Sequence, residues 1–427
     1  MTQRTVLITA FEPSGDLLGA RLAEALRDSR SGPWRCVGLG GPHMEAAGVE
    51  LLERTTDHAG MLMGVTGEAQ ALMRRVRLVK GWLAEHTPDL HVPIDAPAAN
   101  WSFCKRVRAL CPQTRILHLV APQVWAWASW RVRRLRAWSD GVLCLLPFEP
   151  AWFARHGVPA TFVGHPLFEN APEPSVWSAS RVDPSVQTRV AMLPVSRTQE
   201  VQRNWPDLLG TFQILRHTHP KLTVEVAASD RQRAELIQRL SPGGRLPRRI
   251  EMSVGDAGAA LSRAHAAVVV SGTATLEAAS RGTPMVTLFR LSKPAWNLVG
   301  RWLINTRTFT LPNLLHGYLT ALDAADTTHV LGQTPKDRHL VPELVPFFGG
   351  AQPIAAALEP LMTEGPARQQ QREGFERIAS AFASVRFSEA VRAAVDRAVL
   401  DEDGEDSPAG VGPGPAPGAS AATRPAG

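Results

Sequence analysis

The run Val268-Val269-Val270-Ser271-Gly272-Thr273-Ala274-Thr275-Leu276-Glu277 reads as a buried strand that breaks at three small residues and resumes as a helix. Small residues there let a ligand approach the backbone. The free N–H groups of the first helical turn carry partial positive charge and favour a phosphate. Glu277, one helical turn later, is within reach of a ribose hydroxyl. Ser196 and Arg197 end another predicted strand in Leu193-Pro194-Val195-Ser196-Arg197. A guanidinium at that place could bind diphosphate and offset charge growing on a leaving group.

A second set of residues suits proton transfer. Asp95 follows the apolar stretch Leu90–Ile94 at a Pro-containing turn. A carboxylate so placed can take a proton from an attacking hydroxyl within hydrogen-bond reach. The first predicted strand ends at Glu12-Pro13-Ser14-Gly15-Asp16, a polar turn able to line a hydroxyl-bearing acceptor. Each feature also has a plainer reading: Ser14, Asp16 and Asp95 as helix caps, Arg197 as a surface residue, the 271–273 turn as a tight connection.

The segment Pro122-Gln123-Val124-Trp125-Ala126-Trp127 runs into Trp130-Arg131-Val132-Arg133-Arg134-Leu135-Arg136. Tryptophan beside arginine on a short helix fits a surface that rests on anionic headgroups, rings inserted and guanidiniums on phosphate. Nucleic-acid binding uses the same residue types, and a solvated helix with core tryptophans is the structural alternative. Arg74-Arg75-Val76-Arg77-Leu78-Val79-Lys80-Gly81-Trp82 repeats the basic, apolar mix.

The elements that must hold these residues alternate. Predicted strands are Thr5–Phe11, Arg35–Leu39, Leu90–Asp95, Ile116–Val120, Gly141–Leu146 and Ala160–Val163 in the first half. Val190–Leu193, Leu222–Ala227, Ile250–Ser253, Ala266–Val270 and Pro284–Phe289 follow in the second. Helical patterns such as Leu17–Arg27, Leu72–Glu85, Arg231–Leu240 and Leu276–Arg281 fill the gaps. Strand–helix alternation predicts an α/β protein with parallel sheets covered by helices. The Pro- and Ser-containing stretch Pro166–Pro184 interrupts it and divides the chain into a first domain, 1–167, and a second, 185–362. Residues 317–340 read as a loop or insertion, 369–400 as further helices, and the acidic, then Pro/Gly/Ala-rich 401–427 as a disordered tail.

The 427 residues, 44% hydrophobic and 20% charged, are those of a globular chain of two domains. No apolar run reaches the ~20 residues of a membrane span, and no signal peptide is evident, which predicts a cytoplasmic protein. The formal charge of +6 becomes +10 for the body without its acidic tail, a balance suited to nucleic acid, anionic lipid or a phosphorylated substrate. Four scattered cysteines read as reduced thiols. P-loop, dinucleotide-fold, zinc-protease and serine-hydrolase signatures are absent.

Taken together, these segments resemble the lipid-A-disaccharide synthase family of glycosyltransferases. The likeness covers about residues 4–316 and rests on Glu12–Ala20, Gly40-Gly41-Pro42-His43-Met44, Met63-Gly64-Val65, Ile94-Asp95-Ala96-Pro97 and Pro122–Trp127. It continues in Leu146-Pro147-Phe148-Glu149, Gly164-His165-Pro166, Ser196-Arg197, Ser271–Glu277 and Leu311-Pro312-Asn313-Leu314-Leu315. The resemblance implies a GT-B fold, two Rossmann-like αβα domains whose parallel sheets face a central cleft, with the helices of 369–400 returning to pack on the first domain. It implies transfer, with inversion, from UDP-2,3-diacylglucosamine to 2,3-diacylglucosamine 1-phosphate (lipid X) in lipid A biosynthesis of Gram-negative bacteria. Asp95 matches the family's proposed general base, with Glu12 and Asp16 beside it in the catalytic set. Ser14, Gly15, Met63, Trp125, Trp127, Arg131 and Arg134 become acceptor- or membrane-facing. Ser196, Arg197, Ser271, Gly272, Thr273, Glu277 and Asn313 fall on the UDP side. Neither cofactor nor metal is implied, nor a nucleic-acid partner; the expected location is peripheral, on the inner face of the inner membrane, with a homodimer left open. The sequence departs from the family's habit at Phe11, Ala98, Ala128, Val195 and Phe289. A divergent transferase with another lipid acceptor, a UDP-sugar epimerase and a non-catalytic nucleotide-sugar-binding protein are the rival readings.

Overall fold

Two sheets organise the chain, and every strand pairing in them is parallel. The computed structural model describes residues 3–56, 65–120, 122–126, 129–177, 187–194, 198–290, 306–326 and 330–400. The first sheet comprises β1 (Arg4–Thr9), β2 (Trp34–Gly40), β3 (Glu50–Arg54), β4 (Leu90–Pro93), β5 (Arg115–Leu119), β6 (Gly141–Cys144) and β7 (Ala160–Phe162). Its order is β3-β2-β1-β4-β5-β6-β7. The second comprises β8 (Arg189–Leu193), β9 (Thr223–Ala228), β10 (Ile250–Val254), β11 (Ala266–Val270), β12 (Met285–Arg290) and β13 (Glu343–Phe347), ordered β10-β9-β8-β11-β12-β13. Burial on both faces explains the apolar runs: every residue of β11, Ala-Ala-Val-Val-Val, is buried.

Helices cover both sheets. Around the first lie α1 (Pro13–Leu26), α2 (Pro42–Ala46), α3 (Val65–Glu85), α4 (Pro97–Leu110), α5 (Val132–Trp138) and α6 (Glu149–Arg155), with α7 (Pro166–Glu169) after its last strand. Around the second lie α8 (Thr198–Thr218), α9 (Arg231–Leu240), α10 (Ala257–Arg263), α11 (Thr273–Ser280), α12 (Leu311–Asp323), α13 (Ala351–Met362) and α14 (Pro366–Ala383); α15 (Phe387–Leu400) closes the described chain. Local chemistry sets several starts. Proline occupies the first turn of α1, α2 and α4, where its missing N–H costs no hydrogen bond. Asp230 and Asp256 cap α9 and α10 by accepting from Arg233 and Ala259 N–H groups, each at 2.9 Å.

Three expectations change. The segment 317–340 is no simple loop, because α12 runs to Asp323 and buries Leu314 and Leu315. Of the helices in 369–400, only the last returns to the first domain. Phe375, Ile378 and Phe382 of α14 join the second sheet's core, whereas Phe387, Val391 and Val395 of α15 join that of the first. The chain breaks between them at residues 384–386, so each helix turns its apolar stripe to a different core. Edge strands β3 and β13 were not predicted. Both carry charges or proline, Glu50, Glu53 and Arg54 in one and Glu343 and Pro346 in the other, as edges do.

Candidate active site

In open parallel sheets a ligand crevice forms where strand order reverses, outside the carboxyl ends. The first sheet reverses between β1 and β4, the second between β8 and β11. Thr9 pairs with Pro93 at the ends of β1 and β4, so Glu12 and Asp95 leave neighbouring strand ends. Leu193 pairs with Val269 in the other sheet, which puts Ser271 just past one strand of that switch point.

Asp95 is half-buried and forms a turn with Ala96 in which both residues adopt the left-handed region, φ 45° and 40°. Its N–H donates to the Leu119 carbonyl at 3.0 Å. The Asn100 amide of α4 donates to the Ile94 and Asp95 carbonyls at 2.9 and 2.7 Å. Burial pushes the Asp95 carboxyl above its ordinary 3.8, and the like charge of Glu12 adds to that; the Ala96 N–H opposes them. A carboxylate raised in this way binds a proton more readily while remaining ionised at higher pH, as a general base requires. Ser14 is exposed on the first turn of α1; Gly15 is buried, and a Cβ on it would lie 3.3 Å from the Ala10 Cβ.

Asp16 belongs to a different structure. It is 1% exposed, and its two oxygens accept from the N–H groups of Gly41, His43 and Met44 at 2.7, 3.0 and 3.0 Å. It therefore caps α2 from α1 rather than facing a substrate. A side chain at Gly41 would reach within 2.7 Å of the same carboxylate, so the cap requires glycine there.

Trp125 is likewise corrected. It is buried, donates Nε1–H to Glu149 Oε1 at 3.2 Å and meets Phe148 edge-on at 5.2 Å. It faces neither lipid nor acceptor. Arg131 and Arg134, by contrast, lie on the protein's outer layer, with guanidinium carbons 4.6 and 4.7 Å from the Trp101 ring centroid. Trp130 beside them is 61% exposed. Phe11 stacks on Phe103 at 5.5 Å and fills the space between β1 and α4.

On the second sheet, Ser271 is partly exposed and Gly272 and Thr273 are exposed. Ser271 N–H continues the strand by donating to Leu288, and Thr275 N–H returns to the Gly272 carbonyl. No side chain caps α11, so its first turn presents N–H groups to a ligand. Glu277 lies one turn inward, 4.0 Å from Arg281. Burial pushes its carboxyl up; Arg281 opposes this and Asp256 adds to it. Asn313 does not face the nucleotide side. It is 1% exposed, its amide donates to Val341 O and Glu343 Oε1 at 2.8 Å each, and its oxygen accepts from Val341 N–H at 2.8 Å. Its hydrogen-bonding capacity goes into pinning α12 to the entry of β13. Met63, Trp127, Ser196 and Arg197 lie outside the described residues.

Residues that sequence reasoning passed over stand behind Asp95: Thr9, His91 and Asn100, all fully buried and hydrogen-bonded to one another. Elsewhere, Glu149, a motif residue to which the sequence assigns no role, is buried against Trp125, and burial pushes it up to about 8 despite donors from Leu146, Trp125 and Leu145.

The sequence profile of the lipid-A-disaccharide synthetase family matches residues 6–323. The chain is 34% identical over 401 residues to lipid-A-disaccharide synthase of Pseudomonas aeruginosa UCBPP-PA14, covering 92% of this chain and 98% of that one. To the synthase of Azotobacter vinelandii it is 35% identical over 400 residues, with the same coverage. Among solved structures, the UDP-GlcNAc 2-epimerase of Neisseria meningitidis bound to UDP-GlcNAc superposes with a TM-score of 0.55 at 9% identity, covering 94% of this chain and 100% of that one. A Listeria monocytogenes protein assigned as a UDP-N-acetylglucosamine 2-epimerase gives 0.59 at 10% identity, covering 94% and 98%. At such identities these structures share the fold only, the two-sheet GT-B architecture.

Proposed function

The chain belongs to the lipid-A-disaccharide synthetase family and is a glycosyltransferase of lipid A biosynthesis; from that premise we propose how its residues divide the reaction. The donor is UDP-2,3-diacylglucosamine and the acceptor 2,3-diacylglucosamine 1-phosphate. Asp95 removes the proton from the acceptor's 6-hydroxyl as that oxygen attacks the anomeric carbon, on the face opposite the departing UDP, so configuration inverts. Charge developing on the leaving diphosphate is met by the uncapped N-terminus of α11 at Ser271-Gly272-Thr273 and by Arg197. The observation that carries this reading is the pairing of switch points: a carboxylate raised by burial at one, an open helix N-terminus at the other.

The acylated substrates call for a membrane face, and we assign it to α3, α4 and α5. These helices pack side by side and, with the turn that leads into α5, expose Met73, Leu78 and Trp130 among Arg77, Lys80, Arg133 and Arg134. That composition suits peripheral docking on anionic lipid, and no helix among the described residues is long and apolar enough to cross a membrane.

The test is incubation of purified protein with both substrates and mass detection of disaccharide 1-phosphate. Asp95→Asn is expected to abolish product while UDP affinity stays within a few-fold, since only proton transfer is lost. Near-parental kcat in that variant overturns the base assignment, and no product from the parent overturns the substrate assignment.

A further inference from the structure

We propose that Thr9, His91 and Asn100 form a buried positioning network that fixes the Asp95-Ala96 turn, and thereby the aim of the Asp95 carboxylate at the acceptor hydroxyl. The proposal rests on the reading of Asp95 as base.

Hydrogen-bond directions in this network follow from one fixed end. The carbonyls of Ile94 and Asp95 can only accept, and Asn100 Nδ2 lies 2.9 and 2.7 Å from them. Both its hydrogens are thus used, which orients the amide and leaves Oδ1 as an acceptor. Thr9 Oγ1, 2.7 Å away, donates its single proton to that oxygen. Toward His91 Nε2, at 3.1 Å, the hydroxyl can then only accept, so His91 carries its proton on Nε2. Its Nδ1 is a buried atom with no hydrogen-bond partner. Burial, with Arg108 and His118 adding like charge, pushes His91 down to about 3, so the ring stays neutral.

The geometry explains why such a device is needed. Two successive non-glycine residues at φ 45° and 40° are strained. Strain of this kind persists only where the surroundings over-determine it. Asn100 holds the carbonyls on either side of the Asp95 α-carbon, Thr9 anchors Asn100 to β1, and His91 anchors Thr9 to β4. The network reaches the base through the main chain and never touches the reacting atoms, so these are positioning residues.

Measurements on the full chain are disaccharide formation against pH, UDP affinity and thermal stability for the parent, Asn100→Ala, Thr9→Val and Thr9→Ser. Asn100→Ala should lower kcat about 100-fold, the loss expected of a misplacement near 1 Å, with UDP affinity within about twofold. Thr9→Val should fall between the two and Thr9→Ser, which keeps the hydroxyl, should restore most activity. A turn released into water should also move the acidic limb of kcat down toward the ordinary carboxylate range; Glu12 is the charged group that faces Asp95 there. Loss of folded protein alone lowers amplitude without moving that limb. If Asn100→Ala does not fold, the Thr9 pair decides. An active parent whose Asn100→Ala or Thr9→Val variant keeps parental kcat and an unmoved limb overturns the network. A parent inactive on both substrates overturns the reaction assigned above and, with it, this role.

Discussion

Glu12 and Asp95 are like charges at neighbouring strand ends, and their coupling has a sign that kinetics can read. Asp95 must be ionised to accept a proton, so activity rises with pH through its pKa. Burial, then Glu12, push that pKa above 3.8. Glu12→Gln removes the second cause only: the acidic limb of kcat should move to lower pH yet stay above 3.8. A limb that does not move means the Glu12 charge is not felt at Asp95. Asp16 makes the opposite case. Its carboxylate accepts three backbone N–H groups at α2, and hydrogen bonds to a charged group contribute roughly 1.5–3 kcal/mol each before overlap. Asp16→Asn puts an amide where donors already point, so thermal stability should fall by about 1–3 kcal/mol, while kcat per folded molecule stays within about twofold. A catalytic loss without a stability loss returns Asp16 to the catalytic set.

The last helix is held by a similar device on a larger lever. Asp396 of α15 accepts from the Ser29 and Ser31 hydroxyls and the Arg30 and Ser31 N–H groups in the loop after α1. Burial alone raises its pKa, but the Ser29, Ser31 and Arg30 donors outweigh that and hold it below the usual carboxylate value. A depressed pKa stabilises the fold above the unfolded-state pKa and is lost as pH falls through the folded one. Asp396→Asn should therefore lower stability by about 1–3 kcal/mol at neutral pH, with the gap from the parent closing under acid; a gap constant from pH 7 to 3 excludes this origin. The clasp joins residues 365 to 367 positions apart, which no local pattern reports. The same limit explains what was legible. Central strands such as β8 and β11 are continuous apolar runs, and the 271–273 turn is visible because type and position coincide. Residue type suggested a lipid-facing Trp125 and the resemblance a UDP-side Asn313, whereas their partners Glu149 and Glu343 lie 24 and 30 residues away. Thr9 and His91 look like ordinary strand positions, and only the packing of α4 under the sheet shows their use.

Across the whole molecule, the two sheets meet through the aromatic residues beyond β5 and β6. Phe148 packs edge-on against Trp125 at 5.2 Å and Tyr318 of α12 at 5.8 Å, and the same core takes in Leu314 and Phe375. Glu149 stands behind this contact. It takes the Trp125 indole N–H at 3.2 Å and the Leu146 N–H at 3.1 Å. Its burial pushes its pKa to about 8, more than the Leu146, Trp125 and Leu145 donors pull it down, so at neutral pH it is predominantly the neutral acid. For a carboxyl raised on folding, the contribution to stability is full below the unfolded-state pKa and declines as pH rises through the folded value. Between about pH 4.3, the free glutamate value, and 8 the folded state retains a proton the unfolded state has released, and each rise in pH favours unfolding. Glu149→Gln keeps the volume and an oxygen for Trp125 but cannot ionise. Its stability should be flatter than the parent's across that range, with the largest relative gain at the alkaline end. Trp125 fluorescence cannot be isolated among twelve tryptophans, so urea midpoints from pH 5 to 9 are the measurement. Parallel pH profiles for parent and variant mean that Glu149 ionises freely, and the junction between the sheets is then insensitive to its charge.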